Sequence, residues 1–154
     1  MSKAFTKEDA LPEERPPRTR RSVLPPGAEN YLTAYGAKRM KAELEALIAR
    51  HRSDDRIHEL KRILGSAVIV GPPSKDLDIV QFGATVSVRS LPDGEPARYR
   101  IVGVDETDVA RGHISWVSPV ADALLSAAAG DRVRAVLPSG DKELEILEVT
   151  YEID

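Results

Sequence analysis

Ala37, Met40, Leu44 and Leu47 recur at spacings of three, four and three residues, and Ile57, Leu60, Leu64 and Ala67 repeat that pattern further along. An apolar stripe of this period lies along one side of an α-helix and forms a coiled-coil seam. Between the stripes stands the wholly polar stretch Arg50-His51-Arg52-Ser53-Asp54-Asp55. Two matching seams joined by a polar turn specify an antiparallel helical hairpin. Thr33 is placed to cap the first helix, whose stripe Ile48 widens. Ser53 is placed to cap the second, with Asp54 and Asp55 near its positive end. The longer arm, Ala34 to about Arg50, spans only ~25 Å at 1.5 Å per residue. Arms this short do not hold alone in water, so their base must pack on a neighbouring domain.

After Gly71-Pro72-Pro73-Ser74 the period drops to two. Ala84, Val86 and Val88 oppose Thr85, Ser87 and Arg89, as a half-buried strand requires. Pro92-Asp93-Gly94 is a turn, Arg98 to Val104 a second strand, and His113 to Trp116 a third. Ser118-Pro119 is a helix start, an N-cap serine followed by proline at the first helical position. Asp122 falls in that first turn, and the helix carries Val120, Leu124 and Leu125 before stopping at Gly130. Val133, Ala135 and Leu137 mark a fourth strand, with Pro138 to Asp141 turning the chain. In the last strand Leu144 and Ile146 give way to Leu147, Val149 and Tyr151, a reversal of phase that calls for a β-bulge. Four or five antiparallel strands around one helix make an α+β domain. The chain thus divides into a tail over 1–30, a helical hairpin over 31–70 and a sheet domain over 71–154.

Aromatic residues are only 5% of the chain against 42% hydrophobic overall, so the core must be built from Val, Ile, Leu and Ala. The tail holds Pro12, Pro16, Pro17, Pro25 and Pro26 with few apolar residues between them, and this composition predicts disorder. Its Arg15, Arg18, Arg20 and Arg21 could touch nucleic acid or a protein partner weakly. The charge is uneven. Residues 31–68 carry eight basic and five acidic side chains, and residues 69–154 eight and fifteen, giving +3 and -7. An acidic body with a mildly basic arm is no general nucleic-acid binder, because counterion release needs clustered Lys and Arg. It suits docking on a large partner of mixed charge. With no cysteine, no membrane-length apolar run and no leader-like N-terminus, the chain reads as a soluble cytoplasmic monomer.

Enzyme chemistry finds little footing. There is no glycine-rich phosphate loop, and no nucleophile stands beside a base. His51, Asp55 and His58 have spacings a metal could bridge, but the polar turn interrupts them, so no metal or other cofactor is expected. His113 reads as a surface residue. Glu143, Glu145 and Glu148 read as solvated positions on the sheet.

Several stretches in combination resemble the GreA/GreB transcription factors. They are Phe82 to Val86, Tyr99 to Glu106, Ile114-Ser115, Ser118 to Ala121, Ala123 to Leu125, Gly130-Asp131 and Leu144 to Tyr151. Upstream, Tyr31-Leu32-Thr33, Gly36 and Met40 to Leu47 resemble the family's first helix, and Ile57 to Val70 the end of its second. The resemblance implies an FKBP-like C-terminal domain that docks on RNA polymerase at the rim of its secondary channel. Trp116, Val117, Ser118, Pro119 and Ala121 would form the docking surface, although Val117 stands where GreB has an acidic residue. In the family a long coiled coil enters the channel, and acidic residues at its tip help hold a catalytic Mg²⁺. Here much of both arms is missing, and Asp54 and Asp55 are the carboxylates left at the tip. The expected protein binds polymerase without stimulating transcript cleavage and is not itself an enzyme.

The short coil also resembles Rnk, which offers a second reading: a regulator that binds a nucleotide-metabolising enzyme. A third, prolyl isomerisation on the FKBP-like fold, would need an apolar aromatic pocket. The domain offers Phe82, Trp116, Tyr99 and Tyr151 for one.

Overall fold

Thr33 ends a strand and opens a helix. Its side chain accepts a hydrogen bond from the Gly36 N–H at 3.0 Å, which satisfies one of the free donors of the first turn. The computed structural model describes residues 24–50 and 55–152. Most of the tail, with its arginine cluster, lies outside them, as do His51, Ser53 and Asp54. Residues 24–29 belong to the folded part: Ala28 N–H donates to Pro25 O at 3.0 Å, closing a turn with Gly27 at φ 84°.

Strand β1 (Asn30–Thr33) leads directly into helix α1 (Ala34–Ala49), and helix α2 (Asp55–Ser66) leads directly into strand β2 (Ala67–Val70). β1 and β2 pair in parallel, Tyr31 opposite Val68 and Leu32 opposite Ile69. The hairpin therefore stands on a small two-stranded sheet, whereas the family resemblance assigns Tyr31-Leu32-Thr33 and Ala67 to Val70 to its helices. Gly65 and Ser66 weaken the helix, and the β-branched run Val68-Ile69-Val70 favours extended backbone. Leu32, Ala37, Met40, Leu60 and Ile63 form the buried core, with Leu44, Leu47 and Leu64 partly buried around it. Ile63 takes the central place expected of Leu64, and Ile48 is exposed.

The second unit is a five-stranded sheet in the order β5-β4-β3-β7-β6. Its strands are β3 (Thr85–Leu91), β4 (Pro96–Val102), β5 (His113–Ser115), β6 (Arg132–Ala135) and β7 (Lys142–Thr150). Three of the four pairings are antiparallel. β5 runs parallel to β4, so the sheet is mixed and not purely antiparallel as expected. Short 3-10 turns at Val104–Glu106 and Val109–Arg111 carry the chain round to make that parallel return. The expected bulge is present. Ser87 faces Glu148 while Val88 faces Ile146, which leaves Leu147 as the extra residue, exposed to solvent. Val86, Val88, Ile101, Leu144 and Ile146 close over Ala121 and Leu124 of helix α3 (Pro119–Leu124).

α3 ends six residues earlier than its expected stop at Gly130. Ser126 has φ 74°, its N–H donates to Val80 O at 2.9 Å, and Val80 N–H donates to Ala127 O at 2.8 Å. The chain leaves the helix to pair with the strand-like segment at Ile79-Val80, which would otherwise carry buried unpaired backbone groups.

Candidate functional site

The segment after β5 is a tight series of caps. Val117 N–H donates to Ser115 Oγ at 3.1 Å, and Ser118 N–H donates to Ser115 O at 2.9 Å. Ser118 Oγ accepts from Ala121 N–H at 3.2 Å, with Pro119 at the first helical position. These bonds satisfy the loop's own backbone donors and fix its course into α3. Pro119 is exposed, and Val117 and Ser118 are half-buried.

The other two candidates face elsewhere. Ala121 is fully buried beneath α3. Trp116 sets its ring edge-on to Tyr31 of β1, with centroids 5.2 Å apart, and Tyr31 meets Phe82 at 5.7 Å. Trp116 Nε1 is buried and finds no hydrogen-bond partner among the described residues. Phe82 and Trp116, two of the aromatic residues an isomerase pocket would need, thus meet Tyr31 at the junction between hairpin and sheet domain, and Tyr99 packs against the sheet core. Tyr151 has a structural task as well. Its hydroxyl donates to Ile79 O at 2.6 Å and accepts from Gln81 N–H at 2.8 Å, while burial pushes its pKa up.

At the hairpin, Asp55 sits exposed in the first turn of α2. Next to it Arg56 grips Glu43 of α1 in a two-pronged pair, with Nε to Oε2 at 2.8 Å and Nη2 to Oε1 at 2.7 Å. This bond holds the Glu43 carboxyl below its ordinary pKa. Both side chains are about two-fifths exposed, so solvent screens the pair and it contributes under ~1 kcal/mol. Because the folded-state pKa is lowered, that contribution is complete above the ordinary carboxylate range and is lost as pH falls through the depressed value. Glu43→Gln should therefore lower the melting temperature slightly at pH 7, and the difference from wild type should shrink as pH falls and vanish below the depressed Glu43 pKa. A difference that persists undiminished in acid would show that the charge pair is not its source.

The junction itself holds a group that the sequence reading did not single out as a contact. Glu106 Oε2 accepts from Gly103 N–H at 2.9 Å and from Thr33 N–H at 2.8 Å, while Oε1 accepts from the Thr33 hydroxyl. A glutamate reaching back to the N–H three residues earlier is half of a capping box, and that spacing was readable at Gly103 and Glu106. A cavity of about 390 Å³ opens beside this junction, between α1 and the turns after β4. Its walls carry charges of both signs, with Arg39, Arg56 and Arg100 against Glu43, Asp105 and Asp108. His113 lines it too, half-buried, and desolvation followed by the Arg100 charge lowers its pKa. Among the described residues no group of three metal-ligating side chains forms, and no helix is long and apolar enough to cross a membrane.

A helical hairpin fixed to a curled mixed sheet, with a tightly capped loop at the start of α3, defines a two-part α+β protein. Residues 73–151 match the family model described as "Transcription elongation factor, GreA/GreB, C-term". Transcription elongation factor GreB of Neisseria meningitidis serogroup B (strain ATCC BAA-335 / MC58) is 40% identical over 125 residues, which cover 80% of this chain and 70% of that protein. GreA of Leuconostoc citreum (strain KM20) is 35% identical. That match runs over 150 residues and takes up 94% of the relative but 77% of this chain, so within the matched span this chain is the shorter. The solved structure of "Prokaryotic transcription elongation factor GreA/GreB from Nitrosomonas europaea" is 28% identical, covers 80% of this chain and 99% of its own, and has a TM-score of 0.45. The chain belongs to the GreA/GreB family of transcription elongation factors.

Proposed function

We propose that the chain binds RNA polymerase through its sheet domain at the secondary-channel rim, in the cytoplasm, and modulates transcription without stimulating transcript cleavage. The observation that carries this reading is the length of the hairpin. α1 has 16 residues and α2 has 12, so at 1.5 Å per residue the longer arm reaches ~24 Å. Its first turns, at Gly36, Ala37 and Met40, are buried at the junction, which leaves still less to project. The contact surface is Val117, Ser118 and Pro119, with Ala121 and Trp116 supporting it from beneath. Asp54 and Asp55 are the two carboxylates that the tip sequence offers, and two adjacent carboxylates without a third partner are a poor ligand set for Mg²⁺.

The test uses purified polymerase halted on a template. The full chain should bind, and Pro119→Asp should weaken binding on the order of tenfold, equivalent to ~1.4 kcal/mol. The rate of transcript cleavage should stay at its unassisted value. Added in excess beside a long-hairpin relative, the chain should suppress the relative's stimulation by occupying the same rim. No binding would end the proposal, and faster cleavage by the chain itself would end its second half.

A further inference from the structure

The hairpin meets the sheet domain along one short seam: Asn30 Nδ2 donates across it to Asp105 Oδ2 at a long 3.4 Å, and Glu106 stitches it with two shorter bonds. Glu106 belongs to the sheet domain, yet two of its three hydrogen bonds go to Thr33 at the root of α1. Thr33 is buried and acts twice: its hydroxyl donates to Glu106 and accepts from Gly36 N–H, so the helix cap and the stitch are one chain of bonds. The third bond, from Gly103 N–H, fixes the carboxylate on its own side. Both glycines are shaped to it. A methyl group on Gly36 would overlap Glu106 Oε1, and one on Gly103 would overlap Tyr31 O. The pairing of β1 with β2 ties the second arm to the first, so whatever holds Thr33 orients the whole hairpin.

We infer that Glu106 is the positioning residue of the hairpin: its carboxylate fixes the angle at which α1 and α2 leave the sheet domain. The apolar contacts of Tyr31 with Phe82 and Trp116 hold the two parts together but are weakly directional, whereas three convergent bonds to one carboxylate admit a single orientation. In a factor that docks by its sheet domain, that angle decides where the hairpin points; this consequence rests on the docking reading above.

The chain has no cysteine, so paired spin labels can be introduced without removing any native residue. Labels at Glu45→Cys on exposed α1 and Lys142→Cys on exposed β7 report the angle as a distance distribution in the free full-length chain. Wild type should give one narrow peak. Glu106→Ala and Gly36→Ala should shift it and broaden it about twofold, with helix content retained. Glu106→Gln should restore most of the sharpness, because its amide oxygen still accepts from Thr33 N–H and Gly103 N–H but no longer takes the Thr33 hydroxyl proton on its other arm. A residue that merely stabilised the fold would lower the melting temperature and leave the distance unchanged. If Glu106→Ala does not fold, Gly36→Ala decides. An unchanged distribution in folded Glu106→Ala or Gly36→Ala overturns the inference. The measurement needs no polymerase, so its failure and a failure of docking are separate results.

Discussion

Truncating Leu60 to alanine should destabilise the hairpin by about 3 to 4 kcal/mol, read as an early loss of helical circular dichroism in urea. Leu60 is completely buried, and its core partners are few: Leu32, Ala37, Met40 and Ile63. Short helices have little stability of their own, so nearly all of the hairpin's free energy comes from this cluster. Removing three carbons from its centre loses their transfer free energy and leaves a cavity that so small a core cannot easily close. The helical signal at 222 nm should therefore fall at lower urea than the tertiary signal of the sheet domain. A change below ~1 kcal/mol would mean that the hairpin draws its stability from somewhere other than this cluster.

The companion substitution, Leu144→Ala, should act on the other part. Leu144 is likewise fully buried, between Val133 of β6 and Ser90 of β3, in the cluster with Val86, Val88, Ile146 and Leu124. The expected loss is again about 3 to 4 kcal/mol. Its signature should differ, because β7 is a central strand with neighbours on both sides and its loss takes the whole sheet with it. Trp116 fluorescence and the helical signal should then fall together, since the hairpin cannot outlive the domain on which its base rests. Two separated transitions in this variant would contradict that dependence.

Much of this was legible in the sequence, for a definite reason. The hairpin, the Thr33 and Ser118 caps and the bulge at Leu147 are local signals, each written within about a dozen residues as a period, a cap or a change of phase. What escaped was written elsewhere. Ala67 to Val70 continues the apolar spacing of α2, and its local lean toward extended backbone is decided by pairing with Asn30 to Thr33. The partners of Glu106 at Thr33 lie 73 residues away, so nothing near Glu106 announces them.

The docking surface was read as one contiguous run, whereas α3 sorts that run by face. Pro119 and Asp122 turn outward while Ala121 and Leu124 turn inward, and Trp116 is claimed by Tyr31. The early end of α3 has the same origin, since Val80 draws Ser126 and Ala127 out of the helix from far upstream.

The residues that seat the hairpin all lie in its lower turns: Tyr31 to Met40 on one side, Leu60 to Val70 on the other. Reach and attachment are therefore independent variables in this design. Whole seven-residue blocks can be spliced in tipward of the seat, after Met40 in α1 and before Leu60 in α2, without changing the phase of the seam, each block adding ~10 Å. The same foundation will carry a stub or a lance, because adding or removing blocks at the far end leaves the socket as it was.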